Sequence, residues 1–455
     1  MIVDQLIDRF NRLGFHKLYI LSPHSYAVGN CGEEIYLGLI KAQNENRRLV
    51  LVSTYDFPRI LKYRFSNRAI LTLESPHILK LNIFWSFLIS SILTIIYIPT
   101  RRLSLFYFRH FKKCLPEPYN FPRIGYNNLF VPSVDITEFS WEIFHSLKWK
   151  DLFQKKIPIQ ISDNDLLECD KVMRKLGIPE GAWYVCLHVR ESGYRNDAGR
   201  REYRNSQIRS YIAGIEEVTS RGGWVIRIGD NTMERLPKME NVIDYPHTQY
   251  KSELMDLYLI ALCRFYIGCQ SGIHDVAKVF QKNILLLNMV NWTFGGPLKI
   301  QDRGILKRIY YKPERRLLSL YSLHQGDWQF DSPPLIDSDD FEFHDNSPEE
   351  IREAISEYIT LIEKNDFSLT PLQKKVNDLR SKLSFSIFNR KNLNNQSLME
   401  ICSGSTFYNW CRFEYDKTVN YSRDEEVYMK YRFAIQAIDG FGTLCQGFLE
   451  RNWEE

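Results

Sequence analysis

Residues 183–189 read Trp-Tyr-Val-Cys-Leu-His-Val, an uncharged run broken only by the imidazole of His188. A stretch this short and apolar predicts a strand covered on both faces. The residues after it decide the kind of sheet. Ile208, Tyr211, Ile212, Ile215 and Val218 recur at helix spacing, with Asn205 in the capping place and Gly222 just past the end. Trp224–Ile228 reads as a second strand, Asn241–Asp244 as a short third, and Arg264–Gly268 and Ile284–Asn288 as two more. Helices over Glu253–Cys263 and Gly272–Phe280 fall between them. Strands alternating with helices in this way predict an α/β fold with a doubly wound parallel sheet of at least five strands.

Upstream, Ile2, Leu6, Ile7 and Phe10 follow a helical period, and Lys17–Leu21 reads as a strand. Ser22–Gly32, with Gly29, Asn30 and Gly32, reads as a loop that ends where a helix over Glu33–Gln43 begins. A strand over Arg48–Ser53 completes a β-loop-α-β unit, so a first α/β domain is predicted over residues 1–155. Pro116, Pro118, Pro122 and Pro132 punctuate its second half, and the strongly patterned sheet fills a domain over 156–335. Beyond it the acidic, proline-bearing stretch Asp331–Glu350 reads as a linker or surface loop. Ser347-Pro-Glu-Glu350 combines a capping box with proline at the first helical position. It opens a helix bearing Ile351, Ile355, Tyr358, Ile359 and Ile362, and Gly447–Glu450 suggests a closing helix. Residues 336–455 are therefore read as a mostly helical extension.

Composition sets outer limits. The chain has 455 residues, about three times the usual domain prior of roughly 150. Its 44% apolar and 25% charged residues mark a globular protein. Lys and Arg number 59 against 55 Asp and Glu, a net +4, too small a surplus for a protein that coats nucleic acid. Nine cysteines, with no C-x-x-C pair, read as reduced buried thiols. The opening MIVDQLIDRF lacks the basic and apolar regions of a secretory signal, which predicts a cytoplasmic location.

One segment stands apart. Ile83–Ile98 is uncharged but ends at Pro99, short of the ~20 residues a bilayer span needs, so it reads as a buried core element. No acid occurs between Glu74 and Glu117, while Arg101, Arg102, Arg109, Lys112 and Lys113 alternate with Phe106, Tyr107, Phe108 and Phe111. An ordinary solvated basic edge is the simpler reading of residues 101–113. The functional one is contact with an anionic membrane surface, placing the protein peripherally at the inner membrane.

In an open parallel sheet, ligands bind beyond the carboxyl ends of the strands. That rule selects His188 and Arg190 after the first strand of the second domain, and Arg227, Gly229 and Asp230 after the second. After the fourth it selects Gln270, Ser271 and Gly272. The last two stand at a helix N-terminus, where free N–H groups and the dipole favour a phosphate. Arginine offers a permanent, forked charge, so Arg190 and Arg227 are expected to neutralise a nucleotide diphosphate. Gly268-Cys-Gln-Ser-Gly272 is not the nucleophile elbow G-x-S-x-G, and no dinucleotide fingerprint, Walker loop or H-E-x-x-H occurs. Asp163-Asn-Asp165 has the D-x-D form of some metal sites, yet it stands where Asp caps a helix, so no metal is assigned. In the first domain Glu33 and Glu34 read as first-turn acids; if the two domains face a cleft, one of them is a candidate general base.

These residues carry a resemblance. LHVRESGY at 187–194, RNSQIRSYI at 204–212, RGGWVIRIGD at 221–230, NVIDY at 241–245 and FYIGCQSG at 265–272 resemble a group of bacterial glycosyltransferases. Their His-x-Arg segment is similar to that of fucosyltransferase-like GT-B enzymes. The likeness runs strongly over residues 180–290, weakly over 15–60 and modestly along the helix after 347. It implies a GT-B-like fold of two Rossmann-like domains facing a cleft. It implies a nucleotide-diphosphate sugar held mainly by the second domain, an acceptor held by the first, and transfer without a metal or other cofactor. The expected setting is synthesis of a surface polysaccharide such as O-antigen, with a glycan or lipid-linked acceptor. On the matching positions Arg190, Arg227, Ser271 and Gly272 would hold the diphosphate, with His188 supporting Arg190 or the sugar. Glu191-Ser-Gly stands where fucosyltransferases often carry another basic residue or Asp, so the likeness does not extend to fucose as donor. A nucleotide-sugar epimerase on the same scaffold, or a non-catalytic binding component of an assembly complex, would use the same rim.

Overall fold

The computed structural model describes residues 18–21, 28–44, 46–51, 67–82, parts of 84–91, 156–193, 202–290, 299–321, 339–379 and 442–454. The chain divides into two compact units. One comprises residues 1–162 and 392–428, the other 163–391 and 429–455.

In the first unit β1 (Leu18–Leu21) pairs in parallel with β2 (Arg48–Leu51), and α1 (Val28–Asn44) connects them. Cys31, Ile35, Leu39 and Ala42 of α1 are wholly buried. The helix begins five residues earlier than the sequence suggests. Gly29 and Gly32 are read in the sequence as loop residues, but both are buried within the helix. Glu33 and Glu34 therefore stand in its second turn, not at its start. The basic-aromatic stretch at 101–113 lies outside the described residues, as does most of Ile83–Ile98. Phe84 and Trp85, the described aromatics of that run, are exposed. Among the described residues no helix is long and apolar enough to cross a membrane.

The second unit opens with α2 (Asp163–Lys175), whose first turn holds Asp163 and Asp165 beside the helix's positive end. It is built on seven parallel strands. In chain order they are β3 (Tyr184–His188), β4 (Trp224–Arg227), β5 (Val242–Asp244), β6 (Phe265–Gly268), β7 (Ile284–Met289), β8 (Arg303–Leu306) and β12 (Thr443–Leu444). Across the sheet the order is β12-β8-β7-β6-β3-β4-β5, and every adjacent pair is parallel. The chain starts at β3, builds outward through β4 and β5, then returns to build the other way from β6. The order reverses between β3 and β6, which makes that gap the topological switch point of a doubly wound α/β sheet. α3 (Ile212–Ser220), α4 (Glu253–Leu262) and α5 (Gly272–Val279) supply the crossovers. All residues of β3, β6, β7 and β8 are buried, as strands covered on both faces must be.

The helix predicted after Asn205 begins later than expected. Residues Ile208–Tyr211 form a 3-10 turn that leads into α3, and Asn205 bonds elsewhere. The stretch read as a linker contains β11 (Phe341–His344), which joins β9 (Arg308–Tyr311) and β10 (Arg316–Leu317) in a small antiparallel sheet. Ser347 caps α6 (Pro348–Lys364) as the sequence foretells. Ser347 Oγ accepts from Glu350 N at 3.2 Å, and Ser347 N donates to Glu350 Oε2 at 2.8 Å. The α6 stripe of Ile351, Ile355, Tyr358 and Ile359 is buried, partly against α3. Carboxylate Glu357 of α6 then accepts from Gln446 N at 2.7 Å and Gly447 N at 3.0 Å, capping α7 (Gln446–Asn452). The described C-terminal residues are thus part of this unit, β12 as its edge strand and α7 against α6. All six described cysteines are buried free thiols.

The α3–α6 contact depends on Gly214. A Cβ there would lie 2.5 Å from Ile355 Cδ1 and 3.0 Å from Ile351 Cγ2. Gly214→Val is expected to lower stability by about 1–3 kcal/mol through overpacking. The check is a fall in the urea midpoint at unchanged slope.

Candidate functional site

The site is the carboxyl edge of the sheet around the β3–β6 gap. His188 pairs with Gly268, and the strands approach closely because Gly268 lacks a side chain. A Cβ at Gly268 would stand 2.7 Å from both His188 O and the Tyr266 hydroxyl. Beyond this pair the chains part. Val189 continues toward Arg190, and Cys269 leads through Gln270 and Ser271 to α5.

Three cations come together there. Arg190 N donates to Cys269 Sγ at 3.1 Å, and its guanidinium to Asn205 Oδ1 at 2.5 Å. Arg204 donates to the Gln270 carbonyl at 2.8 Å. Lys307, just past β8, donates to Asn205 O at 2.6 Å and pairs with Asp345 at 2.6 Å. The charges of Arg190, Arg204 and Lys307 all act on the Cys269 thiol, lowering its pKa against a larger rise from burial. Arg190 and Arg204 are half-buried, while Lys307 is buried.

α5 opens toward the same edge. Ser271 is its N-cap in extended backbone but makes no side-chain cap bond, and its hydroxyl is buried beside that of Tyr266. Gly272, the first helical residue, is exposed. The N–H groups of Gly272 and Ile273 have no intrahelical acceptor, as at any helix start. His274 and Asp275 follow, and Asp275 pairs with Lys278 at 2.7 Å. Gln270 plays a mainly structural part, since its Oε1 accepts from Val290 N at 2.9 Å and so holds the end of β7.

Arg227 differs from its sequence expectation. Its side chain is 0% exposed, and the fold already balances its charge. One amino group donates to Glu191 Oε1 at 2.6 Å; the other reaches Asp244 Oδ1 at 3.2 Å and the Glu234 carbonyl. Glu191 Oε2 in turn accepts from Glu234 N at 2.7 Å, and Asp244 Oδ2 from Leu236 N at 3.0 Å. Arg227 therefore braces the loops after β3 and β4 and does not present its charge at the edge. Gly229 has φ +151, and a side chain there would collide with Met233. Asp230 accepts from Thr232 N at 2.9 Å and from the Thr232 hydroxyl, closing the turn.

His188 is 8% exposed, and its Nδ1 lies 3.1 Å from the Ile228 carbonyl, which can only accept. The proton therefore sits on Nδ1, leaving Nε2 as an acceptor. Burial, followed by the nearby arginines, pushes its pKa down to about 4, despite the Ile228 bond. His274 is also pushed down to about 4, again chiefly by burial. Both rings are therefore neutral near pH 7.

The structure thus brings His188, Arg190, Gln270, Ser271 and Gly272 to one edge, with Gly229 and Asp230 in the adjoining turn. Glu33 and Glu34 belong to the other unit. Arg204, Lys307, His274 and the bracing role of Glu191 escape the sequence reading. Arg204 stands in the quoted segment 204–212 but precedes any recognisable helix. Lys307 ends a strand whose Arg303-Gly pair hid it; with β8 recognised, the carboxyl-end rule would have selected it.

No family model matches the chain, and no curated protein matches its sequence. Solved structures do align with it. E. coli ADP-heptose LPS heptosyltransferase II is 11% identical, with TM-score 0.36, over 77% of this chain and 99% of that one. A family 9 glycosyl transferase from Veillonella parvula is 11% identical, with TM-score 0.34, over 64% and 85%. The iron-containing dodecameric glycosyltransferase TibC of enterotoxigenic E. coli is 14% identical, with TM-score 0.34, over 76% and 78%.

Two outcomes are expected at the site. Arg227→Met leaves Glu191 and Asp244 without their buried counter-charge and should cost about 3–5 kcal/mol in chemical denaturation. The histidines add a pH dependence. A folded pKa near 4 against 6.5 unfolded means that unfolding takes up protons between those values. Their contribution is present above about pH 6.5 and is lost as pH falls toward 4. His188→Gln should flatten the denaturation midpoint's fall across that window relative to wild type.

Proposed function

We propose that the carboxyl edge of the second unit holds the diphosphate of a nucleotide sugar, and that the protein transfers that sugar to an acceptor. The observation that carries this reading is the convergence of Arg190, Arg204 and Lys307 beside the start of α5, at the switch point of a doubly wound sheet. A helix N-terminus and forked guanidinium groups suit phosphate oxygens. Breaking the glycosidic bond leaves negative charge on the departing diphosphate, and preorganised positive charge at that place lowers the barrier. Permanent cations supply this without a metal.

Neutral His188 has a complementary part. Its tautomer is held by the Ile228 carbonyl, so Nε2 can accept a hydrogen bond from a donor-sugar hydroxyl. Arg227 acts through others, fixing the Glu191 and Glu234 loops that flank this edge. Glu33 and Glu34, in the first unit, are the candidates for deprotonating the acceptor hydroxyl. The acceptor is a glycan or lipid-linked saccharide of bacterial surface polysaccharide synthesis such as O-antigen. The basic-aromatic residues 101–113 would meet the anionic membrane surface from the cytoplasmic side.

A ligand that binds only the folded state raises its stability by about 2.7 kcal/mol at one hundred times its dissociation constant. Wild-type protein is therefore expected to show a thermal shift of roughly 5–10 °C with at least one nucleoside diphosphate at that concentration. Arg190→Ala and Arg204→Ala should each reduce the shift while leaving the ligand-free midpoint near its original value. An unchanged shift in both would displace the pocket from this edge. Incubation with a nucleotide sugar alone should leave the sugar's configuration unchanged, an outcome that separates transfer from epimerisation.

A further inference from the structure

We infer that Tyr203 and Phe343 form the platform on which the base of the nucleotide stacks, an inference that rests on the diphosphate reading above. The two rings lie 5.4 Å apart between centroids and are tilted by 37°. Both are half-buried, so each is anchored in the fold while part of it remains open. They come from different elements. Tyr203 is in the short 3-10 turn Glu202–Arg204, and Phe343 is in β11.

The charged edge ties the pair to the phosphate side. Tyr203 immediately precedes Arg204, which holds the Gln270 carbonyl at 2.8 Å. Phe343 lies two residues before Asp345, which pairs with Lys307, and Lys307 in turn donates to Asn205 O. One bonded circuit therefore positions the two rings and two of the three cations. Period-2 alternation in β11 puts Phe341 on the same face as Phe343. Opposite them in β9 stand Tyr311 and Ile309. Tyr311 stacks on Phe341 at 5.0 Å, and Ile309 is 1% exposed. The platform is thus the cation-side end of an aromatic strip, with the buried Ile309 beside Phe343 in the neighbouring strand.

Two groups flank a diphosphate in a nucleotide sugar, the nucleoside and the sugar, and this wall suits the nucleoside. A base presents a π-face to an aromatic ring, and stacking tolerates any base identity. A sugar presents hydroxyls that need polar partners. Those partners lie on the β4 side of the edge, where His188, Glu191 and Asp230 cluster.

The test is a calorimetric titration of the full chain with UDP, GDP, ADP and inorganic pyrophosphate. The variants are Tyr203→Ala, Tyr203→Phe and Phe343→Leu, the last two retaining packing if the first does not fold. Wild type should bind at least one nucleoside diphosphate more tightly than pyrophosphate. Tyr203→Ala should weaken that nucleotide roughly 5- to 100-fold, leave pyrophosphate unchanged, and be rescued by Tyr203→Phe. Phe343→Leu should show a smaller loss in the same direction. If wild type binds pyrophosphate and every nucleotide equally, or if Tyr203→Ala and Phe343→Leu both keep the nucleotide's advantage, the platform is wrong and the diphosphate site stands. If wild type binds neither, the diphosphate site falls and the platform with it.

Discussion

Arg227 carries a full positive charge into the sheet's interior, where water does not reach, and the loops at the carboxyl edge are arranged around it. Taking such a charge out of water is unfavourable, and it is tolerated only with close, well-directed partners. Here the partners arrive from three directions: Glu191 after β3, Asp244 at the end of β5, and the carbonyl of Glu234 in the loop after β4. Each carboxylate commits its second oxygen to a backbone N–H of the 234–236 segment. A single guanidinium thus fixes two loops and one strand end relative to one another. The local fold consequently depends strongly on one side chain.

With Arg227 committed to the fold, the cations at the carboxyl edge beside Gln270 and Asn205 are Arg190, Arg204 and Lys307. Arg190 is held by the Asn205 side chain, Arg204 by the Gln270 carbonyl, and Lys307 by the Asn205 carbonyl and by Asp345. The two buried imidazoles are neutral beside them, because desolvation outweighs the attraction of nearby acids. One edge therefore sets charged side chains beside two neutral imidazoles.

An aromatic strip of β9 and β11 adjoins this edge. It meets the charged edge through Asp345 and Lys307. The small antiparallel sheet that carries it comes directly after β8, and Asn346 then locks to Asn288 at the end of β7 through paired side-chain to backbone bonds of 2.8 and 2.6 Å.

The sequence pattern identified β3, β4, β5, β6 and β7, the helices α3, α4 and α5, and the capped α6, because buried parallel strands and amphipathic helices write their surroundings into local composition. The carboxyl-end rule points to His188, Arg190, Ser271 and Gly272, which the fold places at one edge. β8, β11 and β12 were not recognisable. They are short, contain or adjoin charged residues, and are strands only because a neighbour pairs with them. Lys307 and the Tyr203–Phe343 pair were hidden for the same reason. Arg227 shows the remaining limit: a strand-end arginine looks the same in sequence whether it faces a ligand or the interior. The chain's own order of residues determined the sheet and the edge at which chemistry could occur. Only the folded structure decided that Arg227 is committed to the interior, because that depends on Glu191 and Asp244, which are remote from Arg227 in sequence and adjacent to it in space.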